Sequence, residues 1–231
     1  MKRYPPFLFI SFILSLLFIA SCDSNHSSEF YRIQRDDIAG YESFIEKYPS
    51  STLVKDAKER IVAAKERAAE QAEKERKEAE MQRLEKQYGS NSLANGSQPY
   101  SRWYGKNLYM DDYTPHSEIR VKAPYNSDVV VIVRFNNSNG NVAGHKYITA
   151  GSTVTIYLRN NYTYQTFFYY GKGWYPDKDM NGQVRGGFIK NEAFSKDGTP
   201  ITLENEIITY ELVLQENGNF QTSSSSEGEM F

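Results

Sequence analysis

The sequence predicts an α+β chain in separate segments: an N-terminal helical hairpin with a long charged helix, then a C-terminal all-β antiparallel sandwich of about seven strands. Three observations support this. Between Ile33 and Ala68, apolar residues recur at three- and four-residue steps, the period of an amphipathic helix. From Ala69 to Tyr88 the chain has charge on every face and neither proline nor glycine. Beyond Trp103 the period becomes two, and turn residues punctuate the chain at intervals suited to short strands.

The first segment, residues 1–21, reads as a targeting signal. Lys2 and Arg3 precede residues 7–20, which are apolar apart from Ser11 and Ser15, and small residues follow. Fourteen residues fall short of the ~18 that a spanning helix needs. The ending Ile19-Ala20-Ser21-Cys22 resembles the lipobox of bacterial lipoproteins. That resemblance implies cleavage before Cys22 and a diacylglycerol on its sulfur, with an N-acyl chain such as palmitate. It places the protein in the cell envelope, periplasmic or surface-exposed, with the outer membrane preferred. Two or three acyl chains hold a protein on a bilayer where one binds only marginally.

Charge excludes one class of partner. The chain has 27 basic and 29 acidic residues; loss of Lys2 and Arg3 leaves 25 against 29, a net charge of −4. The charges are spread evenly, without the one-sided basic footprint of a nucleic-acid binder. Cys22 is the single cysteine, so no disulfide is available and the exported fold relies on its core.

Residues 22–30 read as a polar tether, in which His26 has no role beyond solvation. Residues 31–88 form the helical hairpin and stalk. Ile33, Ile38, Tyr41, Phe44, Ile45 and Tyr48 stripe a first helix that stops at Pro49. Ser50, Ser51 or Thr52 can cap a second helix striped by Val54, Ala57, Ile61, Ala64 and Ala68. The string from Tyr41 to Ser51, with Ala57 and Ile61 behind it, resembles a tetratricopeptide-type pair of the kind found in outer-membrane assembly and tol-pal-type proteins. One pair falls short of the roughly three repeats that an array needs, so scaffold function does not follow. Pairing at i,i+4 is expected for Glu70–Lys74 and Glu73–Lys77. From Ser51 to Tyr88 the helix would reach ~57 Å. A solvated stalk or linker is preferred to a coiled coil, because Gln71, Glu75 and Glu78 fall at heptad positions.

Residues 89–100, rich in serine, asparagine and glycine, read as a flexible linker before the β domain at 101–220. Strands are expected at 117–123, 128–135, 142–148, 153–158, 163–170, 184–189 and 207–214. The apolar run Val129–Val133 marks a central strand. Tyr147 to Leu158, Gly171-Lys-Gly-Trp174 and the ending Asn217-Gly-Asn-Phe220 are similar to a β domain of Bacteroidota proteins to which no activity is attached. That likeness implies fold and source only. Residues 221–231 read as a disordered tail.

The candidate chemistry is sparse. Tyr164, Phe168, Tyr170, Trp174 and Tyr175 belong to an aromatic run whose rings point to both faces of a strand. Two faces cannot both be buried between two sheets. Some ring surface is therefore exposed or covered by loops, and these residues are the candidate contact surface for a protein or glycan partner. Asp177, Asp179 and Asn181, followed by Gly182, match the opening half of a calcium loop. The twelfth position is Phe188 rather than a bidentate glutamate, so a plain turn is preferred. His116 and His145 are isolated and do not form a metal set. No nucleophile motif or phosphate loop is present. The leading expectation is a membrane-anchored, non-catalytic binding module with no cofactor beyond its lipid. The alternatives are a glycan-binding accessory domain using Tyr164, Tyr170 and Trp174, and an envelope hydrolase with an unrecognised site.

Overall fold

The structure, a computed structural model, describes residues 26–106, 116–213 and 222–231. Cys22 and the apolar run before it lie outside the described residues, and no described helix is long and apolar enough to cross a membrane. A helical segment is followed by a β region of two sheets. The chain divides into two compact units between Ala79 and Glu80, inside the long helix.

In the first unit, Asp37 caps helix Ile38–Lys47 by accepting a hydrogen bond from the Gly40 amide at 2.8 Å. The long helix spans Val54–Tyr88, and the Ser51 hydroxyl at its entrance accepts from the Leu53 amide at 3.3 Å. Phe30, Tyr41, Phe44, Ala57 and Ile61 form the core between them. The tether expected at 22–30 is corrected over its described part. Residues 26–30 are helical, Phe30 is buried, and the His26 ring lies 4.0 Å from that of Tyr48. Glu29 ties this turn down by accepting from Lys47 Nζ at 2.9 Å and from the Tyr48 hydroxyl at 2.7 Å. Between Glu70 and Glu80 the long helix carries no large apolar side chain. Glu73 pairs with Lys77 at 3.4 Å, but Lys74 turns to Glu78 at 3.9 Å rather than back to Glu70.

The second unit holds nine described strands, β1 (His116–Lys122), β2 (Asp128–Phe135), β3 (Val142–Ile148), β4 (Thr153–Arg159), β5 (Tyr162–Met180), β6 (Val184–Asp197), β7 (Ile201–Leu203), β8 (Ile207–Glu211) and β9 (Thr222–Ser224). One sheet has the order β4-β1-β8; the other runs β3-β2-β5-β6-β9, with β7 also on β5. Two expectations change. The three-residue strands β7 and β9 are too short to show a period in sequence, and β8 lies parallel to β1, the one exception to antiparallel pairing among the described residues. Chain order along an edge leaves no mark on hydrophobic pattern.

Two cores explain the burial pattern. Ile119, Val121, Val154, Ile156 and Leu158 of the small sheet share one cluster with Val129, Val131, Val133, Phe168 and Tyr170 of the large sheet. Val130, Ile132, Tyr147, Phe167, Tyr169, Trp174 and Phe188, on the opposite face of the large sheet, join Tyr100 and Met230 in a second cluster. Strand β2 therefore sends alternate valines and isoleucines into two different cores, and none of Val129–Val133 is exposed.

The cover on that second face comes from segments that read as disordered. Residues 89–100 do not act as a flexible joint. Gly96 N donates to Tyr147 O, Tyr147 N donates to Ser97 O, both at 2.8 Å, and Tyr100 is completely buried. Residues 222–231 form β9 and a helical turn, Glu227–Met230, with Met230 buried. Arg134 holds this turn through the carbonyls of Met230 (2.8 Å) and Phe231 (3.2 Å). Gly173, at φ +71°, lets the end of the long helix approach β5. A Cβ there would lie 2.9 Å from the Tyr88 carbonyl oxygen and 2.8 Å from Ile189.

Candidate functional site

The aromatic run does not form an exposed platform. Tyr164 is buried with its hydroxyl donating to Arg159 O at 2.9 Å, and Phe168 packs edge-on to Tyr210 at 5.3 Å. The hydroxyl of Tyr170 lies 3.1 Å from Ser195 Oγ. Trp174 is 3% exposed, set edge-on against Tyr147 and Phe188, each at 5.4 Å. Tyr175 is half-buried against Tyr88, with ring centroids 4.9 Å apart. The expected contact surface is therefore corrected: four of its five rings are core. The physical reason is cover on both faces: Tyr164, Phe168 and Tyr170 pack against the small sheet, and Trp174 lies under a third layer formed by residues 93–104 and 226–231.

Several buried polar groups in this layer are paired, whereas the Ser97 and Tyr104 hydroxyls have no hydrogen-bond partner among the described residues. His145 is 1% exposed, its Nε2 accepts from Tyr100 N at 3.0 Å, and burial holds the imidazole pKa down to about 4. The Tyr100 hydroxyl donates to Gly186 O at 2.9 Å, and burial raises its pKa well above the usual tyrosine value. Tyr169 donates to Glu192 and accepts from Phe188 N at 2.7 Å, while Lys178 Nζ reaches Glu192 at 2.5 Å. Burial raises the Tyr169 pKa too. These groups hold the layer together. His116 sits near the open end of β1, its ring 4.9 Å from Tyr157.

The half calcium loop forms the β5–β6 hairpin end. Asn181 and Gly182 both take positive φ, 53° and 68°, and Asp179 Oδ1 accepts from Gly182 N at 2.7 Å. Asp177, Asp179 and Asn181 are all exposed, and the Asp179 carboxylate serves the turn. Among the described residues no cluster of three or more His, Cys, Asp or Glu side chains could hold a metal ion.

Beside this hairpin lies a cleft of about 410 Å³ lined by Arg102, Trp103, Asp179, Gly182, Gln183, Val184 and Arg185. One wall is the helical turn Ser101–Tyr104, preceded by Tyr100. Tyr100 and Tyr104, four residues apart, face the core, so Arg102 and Trp103 point outward. Trp103 is 40% exposed and the Arg102 guanidinium lies 5.8 Å from its ring centroid. On the other wall Arg185 stands across β5–β6 from Asp179. Neither Arg102 nor Arg185 has a hydrogen-bond or ion-pair partner among the described residues. The walls are tied together, because the carbonyl that Tyr100 holds belongs to Gly186, next to Arg185.

The arrangement offers two guanidinium groups without a partner among the described residues, a carboxamide and an indole face. Trp103 does not stand out as a candidate in the sequence, because the run beyond Tyr162 is far denser in aromatic residues. The spacing of Tyr100 and Tyr104, with Trp103 off their face, was the available signal. No family model, curated protein or solved structure matches this chain.

Proposed function

We propose that the chain is a bacterial envelope lipoprotein, held on the outer membrane by acyl groups at Cys22, whose second unit is a non-catalytic binding module. The ordered basic start, apolar run and lone cysteine after Ala20-Ser21 support the anchor. The charged helix serves as a solvated spacer. The second unit is a two-sheet sandwich with an added aromatic layer.

The observation that carries the binding reading is the half-exposed Trp103 in one cleft with the guanidinium groups of Arg102 and Arg185, on a frame pinned by Tyr100. Preorganised arginine and aromatic side chains are favoured contact residues, because little conformational entropy is lost when a partner arrives. The test uses the tagged full-length protein in cells. Labelled palmitate is expected in wild type and absent from Cys22→Ser. Envelope components retained after crosslinking are expected to be lost in Trp103→Ala and Arg185→Gln. Equal retention by these variants would remove the cleft from the account.

A further inference from the structure

We propose that the Arg102–Trp103–Arg185 cleft binds an acidic carbohydrate, a glycan whose sugar rings bear carboxylates. The proposal rests on the binding-module reading and names its ligand class. Charge comes first. The cleft holds two guanidinium groups against one carboxylate, Asp179, which is already engaged by Gly182 N. Guanidinium and carboxylate match in a planar, two-bond geometry, which favours a carboxylate ligand. The indole adds an apolar plane, which complements the C–H face of a sugar ring, while Gln183 and the open space beside Gly182 leave room for its hydroxyls. The volume suits a small ligand rather than a protein surface.

An acidic peptide is the competing ligand, and the neighbouring strand argues against it. Extended peptides gain much of their affinity by main-chain pairing with an open edge. Along β6, Gly186 O is taken by the Tyr100 hydroxyl, Phe188 N by Tyr169 and Phe188 O by Lys178 Nζ at 2.7 Å. Side chains have closed that edge, so recognition falls to the guanidinium groups and the ring.

Intrinsic fluorescence of the full-length protein in detergent tests this directly. The two tryptophans differ sharply, Trp103 at 40% and Trp174 at 3% exposure, so a ligand in the cleft perturbs Trp103. Titration with oligogalacturonate is expected to give a saturable change that weakens as salt is added. Neutral malto-oligosaccharides of equal length are expected to give none. Trp103→Ala should abolish the response, Trp103→Phe should retain binding by isothermal titration, and Arg185→Gln should weaken binding about tenfold or more. Unchanged thermal melting of the variants is the folding control. No response to oligogalacturonate, or equal affinity for polyglutamate at matched carboxylate, overturns the proposal. So does an Arg185→Gln variant that binds like wild type. If acidic sugars fail while crosslinked envelope components still depend on Trp103 and Arg185, the ligand class falls and the binding module stands. If neither depends on the cleft, both fall.

Discussion

The backbone amide of Tyr100 donates to Nε2 of buried His145 at 3.0 Å, which requires a neutral imidazole. The rings of Tyr100 and Tyr104, 5.8 and 5.9 Å away, face it. Its folded pKa, about 4, lies below the ordinary value of 6.5. The unfolded chain therefore binds the proton first as pH falls. Stability from this group is full above pH 6.5 and is lost on the way down to about 4, by on the order of 3 kcal/mol. Denaturant midpoints should fall between pH 6.5 and 5, above the carboxylate range, and His145→Gln should flatten that slope. An unchanged slope would show that the imidazole titrates normally.

Tyr100 joins the linker to the hairpin through its hydroxyl. Tyr100→Phe keeps the ring and strands the Gly186 carbonyl, so a loss of about 1–2 kcal/mol is expected in urea unfolding. Tyr100→Ala also empties a completely buried site and should cost about 3–5 kcal/mol. Faster amide exchange at Gly96 and Tyr147 would show that residues 89–100 had come off the sheet.

Gly173 tests the approach of the long helix to β5. Alanine there combines positive φ with contacts under 3 Å to Ile189 and the Tyr88 carbonyl. Gly173→Ala should destabilise by more than about 1 kcal/mol. Gly182→Ala, also at positive φ but with open space around its Cβ position, should cost less. Equal losses would mean that backbone strain alone matters.

Arg134 holds the last residues through the carbonyls of Gly140, Met230 and Phe231. Arg134→Ala leaves these acceptors unpaired and should open residues 222–231 to limited proteolysis, with a stability loss of about 1–3 kcal/mol. Lysine presents one point donor instead of a planar fork, so Arg134→Lys should restore little protection.

Much of the fold was legible because burial leaves a period. The stripe through Tyr41 and Phe44, the stop at Pro49 and the continuous run Val129–Val133 all appear in the structure as read. The candidate contact surface was not legible. Tyr164, Phe168 and Tyr170 have the composition of a ligand platform and of a core alike. Which they form depends on what covers them, and the cover is the small sheet, with Ile119, Val121, Ile156 and Tyr210, distant in the chain.

By itself the sequence determined the local elements and their order: helical stripe, charged helix, period-two strands and the basic, apolar and cysteine order at the start. These depend on spacing between near neighbours, which the chain displays directly. Tertiary structure alone decided the parallel seat of β8, the docking of residues 89–104 and 222–231, and the exposure of Trp103 rather than Trp174. Each of those outcomes depends on contacts between residues distant in sequence, and such contacts leave no period to read.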